Sequence, residues 1–392
     1  LSIDGGSMLE TREEPLATAL IGLMPQGGLG KHSFDDLQSL LAGKSVALNI
    51  GASSDTFVLS NRTTPRDLEL QLQLIAAYLT DPGYRPEALT RYRNSLQDYF
   101  ARLTATPGSA LQAEQSRILS DDDPRFTLKD EATYRALDLD QLRLAISDRL
   151  ERGALEIALV GDIDEDAAIA LVSRTLGALP QRETDFSTPE GARTRSFTAD
   201  RSPRTLTHTG EADQGLVNFV WPTTDASDPD TTVGLALLRA IVDLEMTEEL
   251  RERLGDAYSP RVSSNPARYY DGYGTFAVSA GIDVERLDAA RDAIVSVMNR
   301  MRNDTVPEDT IQRARQPILE SFDNALKSNG GWMSYTARAQ SEPDRISRYL
   351  AAKDRYNALA PEDIRTLALR YLDPAEAVVI TVLPEAEVQA SQ

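Results

Sequence analysis

Segments of the first half of the chain return in the second half, in the same order, at a nearly constant offset of 219 to 222 residues. Thr56-Phe57-Val58-Leu59-Ser60 recurs as Thr275-Phe276-Ala277-Val278-Ser279, and a helical pattern begins soon after each, near Leu68 and Leu287. Pro86-Glu87 and Pro307-Glu308 open corresponding helices, and Leu137-Asp138-Leu139-Asp140-Gln141-Leu142 corresponds to Leu359-Ala360-Pro361-Glu362-Asp363-Ile364. Each copy closes as a helix, a polar break and an apolar strand, Leu155 to Val160 in one and Ala377 to Val382 in the other. A repeat of this length is a whole domain. The chain is therefore expected to hold two domains of one fold, residues 1–185 and 206–392, joined by a linker at 186–205. Composition places the linker there independently, because Pro180 to about Thr205 is rich in Arg, Thr, Ser, Pro and Glu and poor in large apolar residues.

A chain of 392 residues that is 41% hydrophobic can bury two ordinary cores. Its 41 Lys and Arg stand against 61 Asp and Glu, a formal charge of -20, so the surface repels phosphate backbones and anionic membranes. Nucleic acid is not an expected partner. The absence of cysteine excludes disulfides, thiolate metal sites and a cysteine nucleophile, and is compatible with either cytoplasm or periplasm. No apolar run approaches the roughly 18 residues that span a bilayer. The chain opens at Leu1 with Ser2-Ile3 already strand-like, which reads as a cut within a larger product, and a signal peptide could have preceded it.

Periodicity sets the expected elements. In the first copy these are an apolar helix from Leu16 to Met24 behind Pro15, a short helix capped by Ser33, strands at Ser45 to Ile50 and Thr56 to Asn61, and helices near Asp67 to Leu79 and Pro86 to Leu103. In the second they are a strand at Leu216 to Trp221, a long helix from about Asp228 to Leu254 and a closing strand at Ala377 to Leu383, with a loose tail after Pro384. The fold class that follows is α+β: two homologous α/β domains, each an antiparallel-rich sheet with helices on one face.

Chemistry has few places to reside. The two histidines, His32 and His208, fall in opposite copies, and neither has a second ligand at helical spacing, so a zinc site of the usual three ligands cannot form from them. They read as exposed or edge histidines. Gly27-Gly28-Leu29-Gly30 lacks the following lysine and hydroxyl pair of a phosphate loop, and Asp121-Asp122-Asp123 lacks the alternating ligands of a calcium loop. The most suggestive stretch is Leu250-Arg251-Glu252-Arg253-Leu254-Gly255-Asp256-Ala257-Tyr258-Ser259. It puts the Arg251 guanidinium on the last turns of a helix and the Tyr258 phenol just beyond a glycine turn, where both can address one carbonyl oxygen. The plain alternative is a surface ion pair of Arg251 with Glu248 and a half-buried Tyr258.

Val160-Gly161-Asp162-Ile163-Asp164 with Leu176-Gly177-Ala178-Leu179-Pro180 resembles the close of the first domain in the pitrilysin or insulinase (M16) family of zinc metallopeptidases. Leu250-Arg251, Leu254-Gly255, Tyr258-Ser259, Asn329-Gly330-Gly331-Trp332 and the terminal Val378 to Pro384 strand are similar to the last domain of its bacterial members. The resemblance implies a clamshell of two halves, each of two homologous domains, with zinc held by His-x-x-Glu-His on the first helix of the catalytic half. Here Ala19, Gly22 and Leu23 stand at the three motif positions, and Ser95-Leu96-Gln97-Asp98 where the later zinc-binding glutamate would fall. The implied role is that of the zinc-free C-terminal half. It would bind no cofactor of its own and would reach the substrate through Arg251 and Tyr258, with Arg253 a rival for the arginine. The partners implied are a zinc-bearing half, in the same polypeptide or as a separate subunit, and a peptide substrate, in the periplasm or another extracytoplasmic space of a bacterium. The competing function is an inactive scaffold on the same fold, as in the core subunits of the respiratory bc1 complex. An independent hydrolase ranks last, since no Ser/His/Asp arrangement falls within one motif.

Overall fold

The computed structural model describes residues 1–254 and 260–390. The chain begins with strand β1 (Ser2–Asp4), helix α1 (Phe34–Leu40), strands β2 (Ile50–Ala52) and β3 (Thr56–Leu59), and helices α2 (Leu68–Thr80), α3 (Glu87–Leu103) and α4 (Pro107–Leu119). Helices α5 (Glu131–Ala136) and α6 (Leu139–Arg152), strand β4 (Leu155–Glu156) and helix α7 (Glu165–Arg174) complete its first half. The second half runs through β5 (Arg204–His208), β6 (Gln214–Thr223), α8 (Pro229–Leu254), β7 (Pro260–Pro266) and β8 (Gly274–Asp283). It continues with α9 (Leu287–Asn303), α10 (Glu308–Ala325), α11 (Asn329–Thr336), α12 (Arg345–Ala358), α13 (Pro361–Tyr371), β9 (Val378–Pro384) and α14 (Glu385–Ala390). The result is the expected α+β class with antiparallel-rich sheets.

Two compact units emerge, and each is discontinuous in sequence. The first comprises residues 1–97, 129–193 and 325–347; the second comprises 98–128, 194–324 and 348–392. In the first unit the strands are ordered β2-β3-β1-β4, all antiparallel, with Ile3 opposite Phe57 and Ser2 opposite Glu156. Ile3 and Phe57 are fully buried and pack with Leu72 and Ile75 of α2 and Leu142 and Ile146 of α6. In the second unit the order is β5-β9-β6-β8-β7, and only β5 with β9 is parallel. Read from its other edge, this sheet runs β7-β8-β6-β9, the same connectivity as β2-β3-β1-β4, with β5 added outside.

Alternation along β6 and β8 sends Val217, Phe219, Trp221, Phe276, Val278 and Ala280 to one face, where α8, α9 and α13 cover them. Each fully buried side chain of this kind contributes about 1.5–3 kcal/mol. Trp221 is fully buried and satisfies its indole N–H on the Asp373 carbonyl at 2.7 Å. The opposite face carries Leu216, Val220, Val378, Ile380 and Val382, and these pack on Ala110, Leu111, Ile118 and Leu119 of α4. This sheet thus has a helix on its second face as well, an addition to the one-faced picture.

Segment 325–347, which contains α11, is held in the first unit by buried carboxylates. Arg338 donates to Asp55 at 2.9 Å, while the Gln340 and Ser341 amides donate to Glu156 at 2.8 and 3.2 Å. Gly331 is required where α11 starts, because a Cβ there would stand 1.9 Å from the Ala325 carbonyl oxygen.

Several local expectations are corrected. The Leu16 to Met24 stretch is not an α-helix: its amides bond three residues back, as in Ala19 to Leu16, Ile21 to Thr18 and Leu23 to Leu20, and a 3₁₀ helix covers Ile21–Gly27. Gly22 and Pro25 weaken and interrupt the four-residue ladder, so the tighter turn prevails. Ser45 to Asn49 forms no strand, since side chains take its donors: Ser45 N–H goes to Asp67, Ala47 N–H to Gln71 and Asn49 N–H to Asn61, at 2.9, 3.0 and 2.9 Å. The strand expected from Leu155 to Val160 pairs only at 155 and 156, opposite Ile3 and Ser2 of β1. Glu385–Ala390 is helical rather than loose, with Glu385 and Glu387 in its first turn favouring the helix dipole.

Candidate functional site

Helix α8 is the element that presents Arg251. Leu235, Leu238, Ile241, Val242, Met246 and Leu250 form its apolar stripe and are all fully buried. On its flank Glu249 and Glu245 accept from Arg300 of α9 at 2.8 and 3.1 Å, which fixes the last turns against rotation. Arg251 follows the buried Leu250 directly and is itself exposed. Tyr258 and Gly255 lie outside the described residues, as does the side chain of Arg253. The convergence of Arg251 with Tyr258 is therefore carried by their spacing in the sequence.

The positions that would carry a zinc motif hold no donor. Ala19 and Gly22 are exposed and Leu23 is half-buried, on backbone that is 3₁₀-like rather than α-helical, so the spacing that would align two imidazoles on one helix face is missing too. A zinc ion does not fit here. Ser95, Gln97 and Asp98 on α3 are exposed. Among the described residues no group of three or more His, Cys, Asp or Glu side chains could hold a metal.

The other motifs resolve into structure. His208 is buried rather than exposed: the Gly210 amide donates to its Nδ1 at 3.1 Å, which makes Nε2 the protonated nitrogen that donates to the Gln214 carbonyl at 2.8 Å. His32 is exposed. The Gly27–Gly30 loop points carbonyls inward, not amides. Arg85 fills it, donating to Gly27, Leu29, Gly30 and His32 at 2.8, 2.6, 2.9 and 3.0 Å, so the loop binds a cation and cannot cradle a phosphate. In the acidic turn Asp122 accepts from Arg117 and Asp123 from Arg125, at 2.7 and 2.8 Å. Those carboxylates are spent on arginines rather than calcium.

One cluster gave no sequence signal, because its members are far apart in the chain. Phe126, Tyr270 and Tyr273 of the second unit surround the guanidinium of Arg195. Only folding brings the turn at Pro124–Phe126 after α4, the β7–β8 turn and the segment before β5 together.

Comparison with known proteins follows the same lines. The model of the M16 peptidase inactive domain matches residues 136–318. The chloroplastic stromal processing peptidase of Arabidopsis thaliana is 20% identical over 421 residues, covering 93% of this chain and 33% of that protein. The chain thus spans about a third of the length of the curated relative. Among solved structures, an M16 inactive domain from Pseudomonas fluorescens superposes with a TM-score of 0.78 at 17% identity, covering 98% of this chain and 92% of that one. The periplasmic protease PqqL from Escherichia coli gives 0.75 at 16% identity, covering 98% of this chain and 42% of that one. With the zinc-motif positions empty of donors and the inactive-domain model matching residues 136–318, the chain is similar to the inactive halves of the M16 peptidase family.

Proposed function

We propose that this chain is the zinc-free half of an M16-type metalloendopeptidase and supplies substrate binding and transition-state stabilisation to a zinc-bearing half. The observation that carries the proposal is the pairing of an inactive-domain match with Ala19, Gly22 and Leu23 at the ligand positions. In this reading the zinc-bearing half activates water, and this chain contributes by stabilising charge. Arg251 stands on a helix end fixed by Arg300, and Tyr258 follows it by seven positions in the sequence. A guanidinium and a phenolic O–H directed at the scissile carbonyl hold the oxygen as negative charge develops on it, which lowers the barrier without covalent chemistry. The zinc-bearing half belongs either to the same polypeptide or to a separate subunit. The 42% coverage of the PqqL chain supports the first arrangement, and the 92% coverage of the Pseudomonas fluorescens inactive-domain chain fits the second. PqqL is periplasmic, which favours an extracytoplasmic location for this chain. The matching strand orders of the two sheets support an origin by internal duplication, with homologous copies at 1–185 and 206–392.

The test is reconstitution with the zinc-bearing half. Arg251→Ala and Tyr258→Phe are each expected to lower kcat about 10²- to 10³-fold, with folding and the partner's zinc content unchanged. Peptide cleavage at the wild-type rate by both variants would leave these as ordinary helix-end residues. The scaffold function would then be the better reading.

A further inference from the structure

In a chain with 20 more acids than bases, Arg195 forms no ion pair with a carboxylate among the described residues. Among the described residues no acceptor receives a hydrogen bond from its guanidinium, whose Nε is buried while the residue as a whole is half-buried. Its position is nonetheless closely defined. The guanidinium carbon lies 4.1 Å from the ring centre of Phe126, 4.4 Å from that of Tyr273 and 5.7 Å from that of Tyr270. Edge-to-face contacts set the rings against one another, Phe126 to Tyr270 at 5.5 Å and Tyr270 to Tyr273 at 6.4 Å. Arg125 lies over the same Phe126 ring at 5.0 Å but is neutralised by two hydrogen bonds to Asp123, at 3.1 and 2.8 Å. Of the two cations, only Arg195 is left to act outward.

Rings against the flat faces of a guanidinium strip those faces of water and fix the rotamer, yet do not occupy the in-plane terminal N–H groups. A carboxylate approaching in that plane meets a preorganised fork and loses little entropy in forming it. Tyr273 adds a hydroxyl with no partner among the described residues, and burial raises its pKa, so it remains a neutral donor. Its neighbour is thus a second hydrogen-bond donor and not an anion. The site stands at the β7–β8 turn, at the end of the hairpin remote from Pro260.

We propose that Arg195, presented by Phe126, Tyr270 and Tyr273, is a docking point for a carboxylate side chain of a peptide. The peptide as ligand rests on the peptidase reading above, whereas the anion chemistry rests on this cluster alone. The excess acid elsewhere on the chain repels such a group and directs it to Arg195. The experiment uses the isolated chain, so it involves neither zinc nor hydrolysis and can fail independently of the Arg251 and Tyr258 test. Titration calorimetry compares an eight-residue peptide capped at both ends and carrying one central Glu with its Gln twin, and with inorganic phosphate. The Glu peptide is expected to bind about tenfold more tightly than the Gln peptide, the effect of one charge-assisted hydrogen-bonded pair. Arg195→Gln is expected to abolish the difference, and Arg195→Lys, which keeps charge but not the planar fork, to lose most of it. Equal binding of the two peptides by the wild type overturns the proposal, as does discrimination that survives in Arg195→Gln. Phosphate binding without discrimination between the peptides overturns the peptide as ligand. Should Arg195→Gln lower the melting temperature so far that it is unfolded during titration, Arg195→Lys decides: undiminished discrimination in that variant overturns the proposal.

Discussion

Arg338 donates a hydrogen bond to Asp55 at 2.9 Å across 283 residues of sequence, and both side chains are about 10% exposed. The guanidinium also lies 4.4 Å from the Phe186 ring centre, and its residue holds a left-handed φ of 66°. The pair thus joins the turn before β3 to the loop after α11 within one compact unit. Truncating Arg338 leaves a buried carboxylate without its cation, which costs far more than losing a surface ion pair. Arg338→Ala is expected to destabilise the first unit by about 3–5 kcal/mol in urea unfolding. Proteolysis between 325 and 347 should become faster in the same variant.

Because each unit takes a segment from the far half of the chain, the halves should not be separable. A fragment 1–193 carries α4 with Leu111, Ile118 and Leu119 but not the sheet they cover, and it lacks the segment that pairs Arg338 with Asp55 and donates backbone amides to Glu156. A fragment 194–392 lacks α4 and exposes Val378, Ile380 and Val382. Neither fragment alone is expected to give a cooperative thermal transition, and both should bind a hydrophobic dye. A single nick within 186–205 is expected to leave the two pieces co-eluting on gel filtration. Separation of the nicked pieces would contradict the exchange of segments.

Asp67 carries a pH dependence of definite sign. The Arg66 guanidinium and the Ser45 amide bind its carboxylate and hold its pKa at about 2, below the ordinary 3.8. A carboxylate depressed on folding contributes stability that is fully present above the unfolded value and is lost as pH falls through the folded one. Asp67→Asn is therefore expected to be less stable than wild type at pH 7. The gap should close between about pH 4 and pH 2, as read from melting temperatures across that range. A gap that stays constant down to pH 2 would show that the amide and guanidinium do not favour the ionised form.

His208 is 1% exposed and uses both ring nitrogens. Replacing it with alanine orphans the Gln214 carbonyl and the Gly210 amide and opens a cavity beside β5. A loss of about 2–4 kcal/mol in chemical denaturation is expected. Asparagine, which can reach only one of the two groups, should recover part of it.

The sequence by itself determined what is local or periodic. Helix boundaries such as α2, α3 and α8 follow from apolar spacing and from caps, among them the Ser33–Asp36 capping box, because these are interactions within a few residues. The lack of a zinc motif is equally plain, since Ala19, Gly22 and Leu23 have no donor atoms in any fold. Tertiary structure decided the rest, wherever a group far along the chain competes for a backbone donor or an apolar face. Ser45 to Asn49 has the pattern of a strand, yet Asp67, Gln71 and Asn61 take its amides. The apolar side of α4 could have packed on its own half, and it covers β6 and β9 instead. Arg195 looks like one surface arginine among many until Phe126, Tyr270 and Tyr273 close round it. Pattern reports that a face must be buried or a donor satisfied, and the physical reason it stops there is that burial and hydrogen bonding have no preference for partners near in sequence. The folded chain selects them by shape.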